Sequence, residues 1–410
     1  MLVLDNRAAP QVPEPLSAAG RSVQQALQRP DLHTLLMNCG YLAENTDRNR
    51  AWEKFERDSA QCSSTFFMDL PNALPGLKSH DIVDIAPLVA GCSTLRRLDL
   101  ISQECFSEEG TAAMAEALQV NTGLTHLDLS FNLMGTDRMR VLSTAFTINH
   151  NLTTVILDSR EGIASALKPL LLALAVIPSL THLSISHPLH CLSEDGIVDI
   201  AGISPPLACH PKLRHLALRC QHLGDEGAAT IAEVVGQTTT LTSLELSSSA
   251  IGSTGINALS AALRINSSLV RLMLDGNRGD EASFRSLLQV LKSHLSLTHI
   301  NLSHMHLGVG MNLDEHVVSV IETNTRVTDL ILDAEFFSSN PGILQKMKGP
   351  LQRNSSLCRL FGPHAYISNS GAFSSILTAP LNRNIHNRER RRWTLFGALF
   401  ARCAFFYFTV

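Results

Sequence analysis

The sequence predicts an α/β solenoid, a horseshoe with a concave parallel sheet and a convex row of helices. Three observations carry this. The pattern L-x-x-L-x-L, or a close variant, recurs ten times, beginning at Leu95, Leu124, Leu152, Leu180, Leu213, Leu241, Leu269, Leu297, Val327 and, degraded, Leu357. Successive starts lie 29, 28, 28, 33, 28, 28, 28, 30 and 30 residues apart, a self-similarity that marks stacked copies of one supersecondary unit. The composition agrees: 63 leucines against 21 aromatic residues in 410 suit repeated thin slots that a branched four-carbon side chain fills and a large ring would wedge apart.

Each unit splits into halves with different hydrophobic periods. Within L-x-x-L-x-L the last apolar positions alternate with exposed ones, the period-2 signature of a short strand. The second half reads at helical spacing: Met114 and Leu118 follow Gly110, Ile231 and Val235 follow Gly227, and Leu259 and Leu263 follow Gly255. Each pair is four apart on one face. Asn121, Asn149, Asn266, Asn324 and Asn354 stand three residues before a strand, where a helix must stop and tolerance of a left-handed backbone is useful. One unit cannot bury its own leucines, so neighbours must stack. Helices need roughly 10 Å of lateral space against about 4.8 Å for strands, which places the sheet on the inside of the curve.

A formal net charge of −4 lacks the Lys/Arg excess of a non-specific nucleic-acid binder, so no nucleic-acid partner is expected. The nine cysteines are odd in number, scattered and free of any CxxC pair, which predicts buried thiols in a reducing compartment and neither disulfides nor a zinc motif. No cleavable secretory signal stands in the first residues. The expected location is the cytoplasm, or a host cell reached by a signal-less secretion route.

The stretches AMAEALQVNTGLTHLDLSFNLMG (113–135), LRHLALRCQHLGDEGAATIAEVV (213–235) and LTSLELSSSAIGSTGINALSAAL (241–263) resemble leucine-rich repeat proteins of the ribonuclease-inhibitor type. Relatives of that type include the Ran GTPase-activating protein, the repeat regions of NOD-like receptors, and repeat effectors that bacteria inject into host cells. The resemblance covers residues 64–378 and implies a protein-protein interaction module, in one form a bacterial effector acting in a host cell. The alternative it implies is a GTPase-activating regulator of a small GTPase, although no acidic tail of the Ran type follows. In the family an Asn after the strand satisfies the turn; Asn132 and Asn277 fit, whereas Gln221, Ser249 and Met305 stand in its place. Those turns are expected to satisfy their amides in another way.

Residues 1–20, with Pro10, Pro13 and Pro15, predict a flexible arm, and 21–63 a helical N-terminal cap with Trp52 and Phe55 available to pack. Residues 66–93 read as an irregular first repeat. Residues 379–410 form a basic and apolar C-terminal cap or tail: five arginines from Arg383 to Arg392 precede a last stretch, 394–410, whose only charge is Arg402. A covering helix is one expectation and membrane contact through 394–410 the other, since 17 residues rise about 26 Å against a hydrocarbon core of about 30 Å.

No GxxxxGK[ST], GxGxxG, HExxH, GxSxG or kinase motif is present, so no enzyme is predicted, and no cofactor, metal or catalytic residue is assigned. What remains is a surface read by column. The third and fifth positions of L-x-x-L-x-L point into the concavity. The third is dominated by Arg97, His126, His182, His215, Arg271, His299 and Arg359; the fifth turns apolar late, at Met273, Ile331 and Phe361. These ten residues are the predicted partner-binding set of an otherwise monomeric solenoid, because interface cores combine Arg with aromatic and apolar anchors. His182 and His215 fall on adjacent strands, where they suggest a pH-sensitive contact; two imidazoles without a third ligand do not make a metal site.

Overall fold

A computed structural model describes residues 66–69, 79–93, 95–100, 106–159, 161–186, 198–305, 313–332, 336–337, 342–361, 380–381 and 383–384. The expected arm (1–20), helical cap (21–63) and apolar tail (394–410) lie outside the described residues. Eleven strands form one sheet in chain order: β1 (Phe66–Asp69), β2 (Leu95–Asp99), β3 (His126–Asp128), β4 (Thr154–Ile156), β5 (His182–Ser184), β6 (His215–Ala217), β7 (Ser243–Glu245), β8 (Arg271–Met273), β9 (His299–Asn301), β10 (Asp329–Leu332) and β11 (Arg359–Phe361). Every neighbouring pair is parallel.

A helix fills each crossover: α1 (Ser79–Gly91), α2 (Glu108–Val120), α3 (Thr136–Phe146), α4 (Ala164–Ala175), α5 (Ser204–Ala208), α6 (Gly224–Gln237), α7 (Ser253–Leu263), α8 (Glu281–Leu291), α9 (Asp314–Thr323) and α10 (Ile343–Arg353). Residues 66–93 supply β1 and α1, the strand and helix of an irregular first repeat. The predicted slots are filled as the period demands. Leu124, Leu127 and Leu129, and likewise Leu269, Leu272 and Leu274, are buried with their counterparts in one continuous core. Each such side chain contributes roughly 1.5–3 kcal/mol relative to exposure.

Two internal polar ladders hold the stack. In the first, Asn121 donates through Nδ2 to the carbonyls of Val89 and Cys92 and accepts the N–H groups of Gly123 and Leu124. Asn149, Asn266, Asn324 and Asn354 repeat this pattern. These asparagines are therefore inter-repeat clamps. The left-handed backbone expected of them is not found: Asn121, Asn324 and Asn354 are extended, with φ of −69°, −86° and −68°. His210 and Thr238 take the same position and accept the equivalent N–H groups. Asn384, in the segment assigned to the C-terminal cap, donates to the carbonyls of Asn354 and Leu357 and so continues the ladder.

The second ladder lies after the strands. Asn132 donates to the carbonyls of Leu100 and Leu129, and Asn277 to those of Leu246 and Leu274. Where Asn is missing, Gln221 reaches the carbonyl of Ile185 and Ser249 that of Leu218. Met305 is simply buried. Left-handed residues stand one place earlier, at Phe131, Cys220, Ser248, Gly276 and His304.

Candidate functional site

The sheet face carries three polar zones. At its first end, register sets Arg97 beside His126 and Asp99 beside Asp128. Arg97 Nε donates to Asp99 Oδ2 at 2.7 Å, and Asp128 Oδ1 accepts from the backbone N–H and hydroxyl of Ser130. Asp99 and Asp128 are only 4% and 7% exposed. His126 Nε2 lies 3.6 Å from Asp99 Oδ1, beyond hydrogen-bond reach. Burial pushes the His126 imidazole below its ordinary pKa; Arg97 adds to that push, and Asp99 and Asp128 oppose it.

At the centre, His182 is exposed and its ring stacks on His215 with centroids 5.8 Å apart. Thr181 Oγ1 hydrogen-bonds His182 Nδ1 at 2.8 Å. Burial pushes His215 down, with Glu245 opposing and His182, Arg219 and Arg271 reinforcing. Arg219 ties this zone together. It donates to Ser186 Oγ at 3.1 Å and lies 3.5 Å from Asp158 Oδ2 and 3.8 Å from Glu245 Oε2.

Toward the far end, Arg271 is exposed on β8, while Met273, Asn301 and Ile331 stand in register across β8, β9 and β10, each half-buried. Asp275 accepts from Ser247 Oγ at 2.7 Å and Asn301 Nδ2 at 3.0 Å. Asp329 is buried and accepts from Thr328 Oγ1 at 2.6 Å, pairs with His299 Nε2 at 3.1 Å, and accepts from Arg359 Nε. Phe361 lies in β11, in register with Leu332.

Nine of the ten predicted residues share one face, and Phe361 pairs with core Leu332 across a register shift instead of with Ile331; the nine do not form one uniform basic stripe. Arg97, His299 and Arg359 are ion-paired with Asp99 and Asp329, Arg359 while itself exposed; His182 and Arg271 are exposed and stand outside those pairs. The polar column runs two residues past the fifth position. Asp158, Arg219 and Asp275 occupy the seventh position, where the strand's period of two continues; Asp158 and Arg219 belong to the central charge network and Asp275 to the far zone. The buried-thiol expectation holds for Cys92 and Cys358, whereas Cys209 is exposed and Cys220 half-buried. Among the described residues, no helix is long and apolar enough to cross a membrane.

Residues 209–232 and 237–260 match the family model described as Leucine Rich repeat. Over 206 residues the chain is 30% identical to the human NACHT, LRR and PYD domains-containing protein 5, covering 50% of this chain and 17% of that protein. Over 279 residues it is 24% identical to the human capping protein, Arp2/3 and myosin-I linker protein 3, covering 56% of this chain and 20% of the relative. Among solved structures it is similar to a tropomodulin C-terminal domain of Caenorhabditis elegans, with 14% identity, a TM-score of 0.31, and coverage of 44% of this chain and 90% of that one. The chain therefore spans a minor part of the curated relatives it matches. A leucine-based unit repeated ten times in sequence, stacked into an eleven-stranded parallel sheet with a helix in every crossover and matched by that family model, makes the chain a leucine-rich repeat protein.

Proposed function

We propose that the chain is a non-enzymatic protein-binding module whose partner docks on the concave face over β8 to β10. The observation that carries this is the patch of exposed Arg271 beside Met273, Asn301 and Ile331, which lie in lateral register. Half-buried apolar side chains flanked by an uncommitted arginine combine the anchor types that interface cores favour. The polar networks on either side supply a solvated rim. A relative whose printed name describes it as a linker of capping protein, Arp2/3 and myosin-I supports protein binding as a role for such repeats.

Site-directed photo-crosslinking tests this. A crosslinker at Met273 is expected to capture a discrete protein that one at Asn257, exposed on convex helix α7, does not. Equal capture from both positions would place binding elsewhere. The Arg271→Ala/Met273→Ala double variant should lose the captured protein while keeping the wild-type circular dichroism spectrum.

A further inference from the structure

Asp99, His126 and Asp128 stand apart from the surface proposed above, at the first end of the sheet. Their donor atoms all lie within 4.8 Å of one another. Asp99 Oδ1 and His126 Nε2 face each other across 3.6 Å, both buried and both without a hydrogen-bond partner. Native structures rarely leave such atoms unsatisfied without a reason. The histidine-carboxylate pair at the other end shows the ordinary solution: His299 and Asp329 approach to 3.1 Å, and Thr328 and Arg359 complete the carboxylate. The gap between Asp99 and His126 is not closed in this way.

The spacing fits an intervening ion. Tetrahedral bonds of about 2.0–2.2 Å to nitrogen and oxygen set donors about 3.3–3.6 Å apart, which matches the Asp99–His126 separation, and a shift of about 1 Å brings the third donor in. Both carboxylates are already aimed by outer partners, Asp99 by Arg97 and Asp128 by Ser130, as metal-binding carboxylates characteristically are. One imidazole with two carboxylates suits a borderline divalent ion and offers too few oxygens for calcium.

The geometry points to a divalent transition-metal site of the zinc class held by Asp99, His126 and Asp128, with a fourth position left for water or a partner's side chain. Adjacent strands bring the ligands together: one comes from β2, two come from alternate residues of β3, and all three point to the same face. No motif spacing reveals it, because the two contributing strands are separated by a whole repeat.

The full chain, freed of any affinity tag and stripped with EDTA, is titrated with zinc chloride near neutral pH by isothermal calorimetry. One saturable equivalent is expected. Asp99→Asn and His126→Gln should each weaken it by about tenfold or more, while His182→Gln and His215→Gln leave it unchanged. Absence of a saturable equivalent, or equal loss on changing His182, overturns the proposal. A readout on the wild-type chain guards against variants that fail to fold. Cobalt(II) bound in the site should show the intense visible bands of four- or five-coordination, and the weak bands of a six-coordinate hydrated ion would count against it.

Discussion

Asn277 holds the turn of the repeat before its own: its Oδ1 accepts the backbone N–H of Ser249 at 3.0 Å and that of Ile251 at 3.0 Å. Its Nδ2 donates at 2.8 Å to the carbonyls of Leu246 and Leu274. One buried amide thus serves four backbone groups in two repeats. Asn277→Ala strands those groups, and at about 1–3 kcal/mol for each buried group that stays unpaired a loss of at least about 2 kcal/mol is expected, even where water reaches half of them. Urea unfolding followed by circular dichroism reads the change. A loss under about 1 kcal/mol would show that solvent replaces the side chain.

Gly276 has φ of +73°, and a Cβ there would come within 2.3 Å of Ser248 Oγ. Two penalties are mixed in this position. The hydroxyl is a movable obstacle, but the left-handed backbone is a fixed cost of about 1–2 kcal/mol for any side chain. Gly276→Ala is therefore expected to destabilise by about that amount, and to do so almost as strongly in a Ser248→Ala background, where the obstacle is gone. A double-mutant cycle separates the two; full rescue by Ser248→Ala would assign the whole effect to the contact.

Two imidazoles stand where other repeats place a clamping asparagine. His210 Nδ1 accepts the N–H of Leu213 at 2.9 Å and its Nε2 meets the Ile177 carbonyl at 2.9 Å. His294 Nδ1 accepts from Leu297 at 3.2 Å. Burial pushes both below the usual histidine pKa, with the carbonyl of Ile177 opposing at His210 and those of Leu263 and Asn266 opposing at His294. The unfolded chain then takes up protons first as pH falls. The stabilising contribution is complete above the unfolded pKa of about 6.5 and drains away below it, by at most about 1.4 kcal/mol per pH unit for each group. His210→Asn and His294→Asn should flatten the acid side of a stability-pH curve measured between about pH 7.5 and 5. Curves parallel to the wild type would sink this account.

The leucine slots and the strand and helix of each repeat were legible because a periodic pattern states its own register. Leu127 and Leu272 needed no knowledge of their neighbours to be placed inside. The clamps were half legible: Asn121 and Asn354 were visible as helix stops, but their main bonds run to carbonyls of the preceding repeat, some thirty residues back. The same reasoning could not see that His210 and Thr238 do the work of Asn, since a search by residue type misses a shared acceptor chemistry. Electrostatics on the sheet were the least legible. Arg97 with Asp99, and Asp329 between His299 and Arg359, are pairs set by side-chain rotamer and lateral register, which a column of letters leaves open.

That pairing separates the arginines by role. Arg271 and Arg359 are both exposed, but Arg359 donates to buried Asp329, which also takes Thr328 and His299. A partner that uses Arg359 must compete with an existing charge-assisted bond, and one that uses Arg271 need not. Against the protein captured through Met273, Arg271→Ala is expected to weaken binding about tenfold or more, equivalent to about 1.4 kcal/mol. Arg359→Ala should cost less affinity and more stability, because Asp329 stays buried with one donor fewer. Biolayer interferometry and urea unfolding on the same two variants give both numbers. Equal affinity losses would mean that the partner spans both ends of the β8–β11 face, and the docking surface would have to be extended to β11.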